Sequence, residues 1–205
     1  MKASYVILAL SIISIVGIMW YTTTSSSNDA DYKQQIENSR KEKDDFMRSN
    51  EASPFKDSQE EFTGLKYFPP DIKFRITADL EPVEKREVVV LQTSDNKEQR
   101  YIQYAWASFS IDGVPCKLLI LEVLDNGPFR GALFLAFADQ SSAMETYGAG
   151  RYLDVKKTPG AKSITLDFNE AYNPYCAYSD NYSCPFPPRE NILDVLIAAG
   201  EKVYH

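Results

Sequence analysis

The chain has 205 residues, 44% of them hydrophobic and 25% charged, which fits one domain of ordinary size with extra segments and excludes wholesale disorder. Twenty-two Lys and Arg against 29 Asp and Glu leave a net charge of -7; the basic footprint of a phosphate-backbone binder is missing, and nucleic acid is not an expected partner. The one histidine is His205, which excludes a Ser-His-Asp triad, a multi-His zinc site and a facial iron triad, and neither a metal nor a cofactor is expected.

No charge occurs between Lys2 and Asp29. The apolar run 5–21 would span about 25 Å as a helix, near the lower limit for a bilayer crossing and slightly long for a signal-peptide core. Trp20 and Tyr21 stand at its far end, where amphipathic rings favour the headgroup layer, and Lys2 keeps the amino end cytoplasmic. Residues 1–28 therefore read as a membrane anchor or signal segment. The anchor is preferred because no A-x-A site follows, while the small residues 22–27 leave cleavage open. In both cases the rest of the chain is expected on the extracytoplasmic side, in a periplasm or at a cell surface.

Residues 29–53 read as a charged helical tether. Glu37 with Lys41 and Asp44 with Arg48 have the favourable i,i+4 order, and Tyr32, Ile36 and Met47 form one thin apolar stripe. A helix lying against its own domain is preferred over one that binds a partner. Pro54 ends it, and 54–205 is expected to be an antiparallel β domain.

Strands are predicted over 73–80, 86–93, 99–111, 114–124, 130–137, 150–156 and 163–168. The clearest local signal is Asp112-Gly113, since a type I′ turn needs positive φ at both positions. A two-residue loop there sets Ile111 opposite Val114, Phe109 opposite Cys116, Ala107 opposite Leu118 and Ala105 opposite Ile120. The other face pairs Trp106 with Leu119, Tyr104 with Leu121 and Ile102 with Val123. The hairpin is thus buried on one face throughout and on both faces away from its tip. Residues 192–199 fit a short helix or a strand equally. The predicted fold class is mainly β, a sandwich-like or barrel-like antiparallel domain behind a transmembrane or signal helix and a charged amphipathic helix.

A long loop follows Phe168, with prolines at 174, 185, 187 and 188. Six tyrosines between 147 and 182 argue against disorder there. Cys176 and Cys184 lie eight positions apart in this loop, and in an oxidising compartment a structural disulfide between them is expected, with Cys116 left as a buried thiol. A nucleophilic Cys176 has no imidazole to activate it. Closing the loop would stabilise by about 2–3 kcal/mol.

Four stretches and a terminal one carry a family resemblance: GLKYFPPD (64–71), ETYGAGRYLDV (145–155), LDFNEAYNPYCAY (166–178), CPFPPREN (184–191) and AGEK (199–202). On these the sequence resembles the domain of unknown function 1684 family, over roughly residues 31–203. It departs after Asp139, where Gln140-Ser141-Ser142-Ala143 stands in place of a Thr-Asn-Gly-like stretch. The resemblance implies a domain boundary and no activity.

The candidate ligand-binding residues are Tyr147, Arg151, Tyr152, Asn169, Tyr172, Asn173, Tyr175 and Asn191, because aromatic and amide groups crowd one loop. Arg151 suits a carboxylate or phosphate clamp, although an internal pair with Asp167 or Glu190 is preferred. Asp167, Asn169, Asn173, Glu190 and Asn191 are oxygen-rich but match no calcium loop. The leading expectation is a non-catalytic, membrane-anchored envelope module that binds a small polar ligand or another envelope protein. The alternative is a hydrolase acting on an envelope glycan or similar polar substrate through carboxylates, with Glu145, Asp167 and Glu190 as candidates.

Overall fold

The computed structural model describes residues 29–56 and 61–205, and the expected anchor at 1–28 lies outside them. Among the described residues no helix is long and apolar enough to cross a membrane. Helix α1 runs over 29–49 and buries the predicted stripe of Tyr32, Ile36 and Met47. The expected pairing of Asp44 with Arg48 is replaced: Arg48 takes Asp45 at 3.2 Å, and Asp44 accepts the Leu65 N–H at 3.3 Å. That exchange follows from docking, since Asp44 faces the domain and Asp45 faces water. Arg40 and Lys43 extend the same face, donating to the Phe68 carbonyl at 2.8 Å and to Glu201 at 2.9 Å.

Eight strands follow: β1 (Arg75–Pro82), β2 (Val88–Gln92), β3 (Glu98–Ile111), β4 (Val114–Val123), β5 (Leu133–Phe134), β6 (Ala136–Phe137), β7 (Arg151–Tyr152) and β8 (Ser163–Asp167). All named pairings are antiparallel, in a six-stranded sheet of order β5-β4-β3-β1-β8 with β2 also on β3, and a separate β6-β7 ribbon. Asp112 and Gly113 have φ of 48° and 83°, as the turn chemistry requires. The predicted register holds from Ile111–Val114 through Ala105–Ile120. Beyond it a bulge at Tyr104 inserts one residue, so Gln103 faces Leu121 and Ile102 faces Glu122. The far end of β3 therefore turns Tyr101 inward against Leu91, Leu119 and Leu121.

Two expectations are corrected. The sheet does not close into a barrel, because β5 and β8 are its two ends and do not pair with each other. Nor is the second layer another full sheet. The face carrying Ala78, Leu80, Ala107, Leu118 and Ile120 is covered by Leu135, Phe137 and Leu153 from the ribbon region and by Leu193, Val195, Ile197 and Ala199. The predicted strand 130–137 is split at Leu135, with β5 in the large sheet and β6 in the ribbon. Residues 192–199 form neither helix nor named strand. They alternate buried and exposed positions through most of that run, like a strand, but their backbone bonds go to single residues such as Ala138 and Gln140.

Gly200 closes this covering segment. Its φ is 75°, and a Cβ there would sit 2.6 Å from the Ala171 carbonyl oxygen and 2.7 Å from that of Phe168. Both obstacles are backbone, so nothing flexible can yield. Gly200→Ala is expected to lose at least about 2 kcal/mol in denaturant unfolding, and a loss under about 0.5 kcal/mol would show that the turn relaxes freely.

Candidate functional site

The buried polar residues of the Tyr- and Asn-rich region are committed inside the domain. Arg151, on β7, is wholly buried. Its guanidinium pairs with Asp139 at 3.3 Å and donates to the carbonyls of Ile197 at 3.1 Å, of Glu201 at 3.4 Å and of Ala199. Its internal partner is thus Asp139, in place of Asp167 or Glu190. Burial pulls its pKa down while the Asp139 charge opposes this. Asn191 links two strands: its side-chain oxygen accepts the Leu119 N–H at 2.6 Å, and its amide donates to Leu119 O at 2.9 Å and Ala136 O at 2.8 Å. Asn169 donates to Tyr32 and the Asp71 carbonyl, and Asn173 to Glu201 and the Lys202 carbonyl. These four candidate ligand contacts are thus fully buried side chains engaged by internal partners.

The four candidate tyrosines are half-buried. Tyr152 donates to the Pro185 carbonyl at 2.6 Å, Tyr172 to Asp154 at 2.8 Å, and Tyr147 approaches the Cys176 sulfur at 3.9 Å. Tyr175 packs edge-on against Tyr182 at 5.0 Å. The three candidate carboxylates do not converge. Glu145 is exposed and pairs with Lys202 at 3.0 Å, Glu190 is exposed, and Asp167 accepts from Tyr32 at 2.7 Å. The cleft that Asp167 lines contains neither of the other two.

That cleft, about 500 Å³, lies between the free edge of β8, residues 153–158 and the helix. Leu80, Tyr104, Leu153, Val155, Ala161 and Ile164 supply apolar lining, and Arg75, Asp154, Lys156, Asp167 and Glu170 supply charge. Each is placed by the fold. Arg75 stands opposite Asp167 in the β1–β8 register and reaches it at 3.8 Å. Asp167 also caps the short turn Phe168–Glu170 through the Asn169 N–H, which aims Glu170 at the mouth. A shallower groove along the helix shares Gln35 and Glu170 and adds Asp31 and Glu42. Carboxylates outnumber cations across the pair. Partial desolvation, and then the Asp167 charge, hold the Glu170 carboxyl above its usual range. Arg75 and Glu170 were not singled out by sequence reasoning. Glu170 lies in the motif 166–178 without a role there, and Arg75 is marked only at long range, since the β1–β8 pairing joins strands nearly ninety positions apart in the chain.

Cys176 and Cys184 are neighbours, as expected, but the disulfide is not formed: all three cysteines are free thiols. The Cys176 N–H donates to the Cys184 sulfur at 3.1 Å. Among the described residues no group of three or more His, Cys, Asp or Glu could hold a metal ion.

An antiparallel β domain with a docked helix and a mixed polar and apolar cleft defines a class of fold and leaves the chemistry open. The chain belongs to the family described as Protein of unknown function (DUF1684), which matches residues 60–202. It is 37% identical to an uncharacterized protein of Haloarcula marismortui solved by solution NMR, covering 87% of this chain and 99% of that one with a TM-score of 0.64. No curated protein matches.

Proposed function

We propose that the protein is a non-catalytic binding module, held on the extracytoplasmic face of a membrane through residues 5–21, which takes a small polar ligand bearing hydroxyl and ammonium groups. The observation that carries this reading is the cleft, where apolar lining lies beside a surplus of carboxylates ending in Asp167 and Glu170. Apolar side chains accept the C–H face of a polyol, and uncompensated carboxylates favour a cation. The anchor rests on the uncharged run, its Trp20-Tyr21 end and Lys2.

Glucosamine and glucose are suitable probes for the full chain, because they differ in one ammonium group. Glucosamine is expected to shift the amide signals of Arg75, Asp167 and Glu170, and Glu170→Gln to weaken its binding about tenfold, the loss of one charge-assisted contact. The affinity is expected to rise as pH increases through the window just above the ordinary carboxylate range, where Glu170 loses its proton. The sign for stability is opposite. The folded state holds that proton more tightly than the unfolded chain, so the free protein loses stability over the same rise. Shifts centred on Tyr147 and Tyr175, or equal responses to the two sugars, would remove the cleft from this role.

One observation favours a second reading, a carboxylate-dependent hydrolase. Asp167 and Glu170 line one cleft, and the raised Glu170 carboxyl suits a general acid. Reproducible turnover of an aryl glycoside, lost in Glu170→Gln, would replace the binding reading.

A further inference from the structure

The loop 176–184 holds two thiols in an arrangement that the cleft does not use. Cys184 is buried and fixed: its N–H donates to the Ser94 hydroxyl at 3.2 Å, its carbonyl accepts the Ser94 N–H at 2.9 Å, and Pro185 bridges to Thr93. Cys176 is half-buried, at the middle residue of the turn Tyr175–Ala177. The Tyr147 hydroxyl lies 3.9 Å from its sulfur. Cys116 sits apart, on β4 in the main core, where burial pushes its thiol up.

We propose that Cys176 and Cys184 are a thiol–disulfide exchange pair, with Cys176 attacking and Cys184 resolving, and with a low-molecular-weight disulfide as substrate. The Cys176 thiolate attacks one sulfur of the substrate, its S–S bond breaks, and the departing thiolate takes a proton. Cys184 then loses its proton and attacks the Cys176 sulfur, which forms the intramolecular disulfide and releases the second thiol. Two electrons pass from the protein dithiol to the substrate, and two thiols leave.

The roles follow from position. An attacking sulfur must meet a solute, which the half-buried Cys176 can do and the buried Cys184 cannot. A resolving sulfur must already lie beside its target, and the Cys184 sulfur does so, 3.1 Å from the backbone nitrogen of Cys176. Activation needs no imidazole. The Cys184 thiol is the largest influence, Ser94 and Tyr147 assist, and together they lower the Cys176 pKa to about 6 against the opposing effect of burial. Cys184 moves the other way and keeps its proton until the mixed disulfide forms. The acidic groups bearing on the site are Asp95, which acts on Cys184, and Asp180, which acts on Tyr147. Asp95 is engaged by Lys97, Ser183 and Thr93, so its charge is largely compensated.

The full chain, reduced and freed of reductant, would be exposed to oxidised glutathione and mapped by peptide mass spectrometry. The expected products are a closed Cys176–Cys184 bond, two glutathiones released per chain, and an unmodified Cys116. Cys184→Ser is expected to retain glutathione on Cys176, and Cys176→Ser to slow modification at Cys184 at least tenfold. A measurement on the unaltered chain guards against misfolded variants: iodoacetamide alkylation of Cys176 should reach half its maximal rate near pH 6. Several results would overturn the proposal. They are Cys184 reacting as fast as Cys176, an alkylation midpoint at the ordinary thiol value, a pair still reduced under excess oxidised glutathione, and a bond that excess dithiothreitol cannot open in the native protein.

Discussion

Arg151→Ala is expected to cost about 3–5 kcal/mol in denaturant unfolding. The guanidinium is fully buried and bonds to Asp139 and to three carbonyls, of Ile197, Ala199 and Glu201. Removing it strands the Asp139 carboxylate out of water, with only the Ile197 N–H at 2.6 Å and the hydroxyls of Ser141 and Ser142 to hold it. Three backbone acceptors are stranded as well. Arg151→Lys keeps the charge but not the planar fork, so it should recover part of the loss. Adding Asp139→Asn to Arg151→Met should also recover part of it, because the isolated charge is gone. A loss for Arg151→Ala below about 1 kcal/mol would mean that water enters and serves these groups.

Asn191→Leu is expected to lose about 3–4 kcal/mol by the same measurement. The side chain ties Leu119, inside β4, to Ala136, at the start of β6, and it joins the large sheet to the ribbon. Leucine has similar bulk but leaves one N–H and two carbonyls unpaired, each costing about 1–3 kcal/mol and partly relieved by relaxation. Asn191→Asp separates this account from simple packing. Its carboxylate still accepts the Leu119 N–H but faces two carbonyls, so it should be destabilised at neutral pH and partly recover in acid, where the protonated form donates. Equal stability of the two variants at every pH would contradict it.

The parts of the fold readable from the chain were those governed by neighbours. The hairpin at Asp112-Gly113 and its first pairs needed only turn chemistry and alternation. The stripe of Tyr32, Ile36 and Met47 needed only helical spacing. The bulge at Tyr104 was invisible, because an inserted residue breaks register without breaking the run of strand-forming side chains. Residues 192–199 were ambiguous because their alternation is genuine while their hydrogen bonds go to loops. The site was harder to read. Asn in a loop signals turn capping or ligand contact with the same letter, and the distinction depends on burial, which only the packed structure fixes. Arg75 stood in no local motif, and Glu170 and Glu201 lay inside motifs that assigned them no role, yet Glu201 is buried and held by Lys43, Asn173 and Tyr178.

The last stretch of chain reaches into nearly every part of this architecture. Residues 191–204 cover the sheet, supply the three carbonyls that Arg151 grips, bring Glu201 to Lys43 of the helix, and place Tyr204 against Phe55 and Tyr178. A polypeptide emerging from a ribosome has its early strands long before this segment. Until then β3 and β4 have an uncovered apolar face, and Arg151 and Asp139 lack most of their backbone partners. The domain is therefore completed only once residues 191–204 have been made, and its half-made forms are the ones with greasy surface to shield.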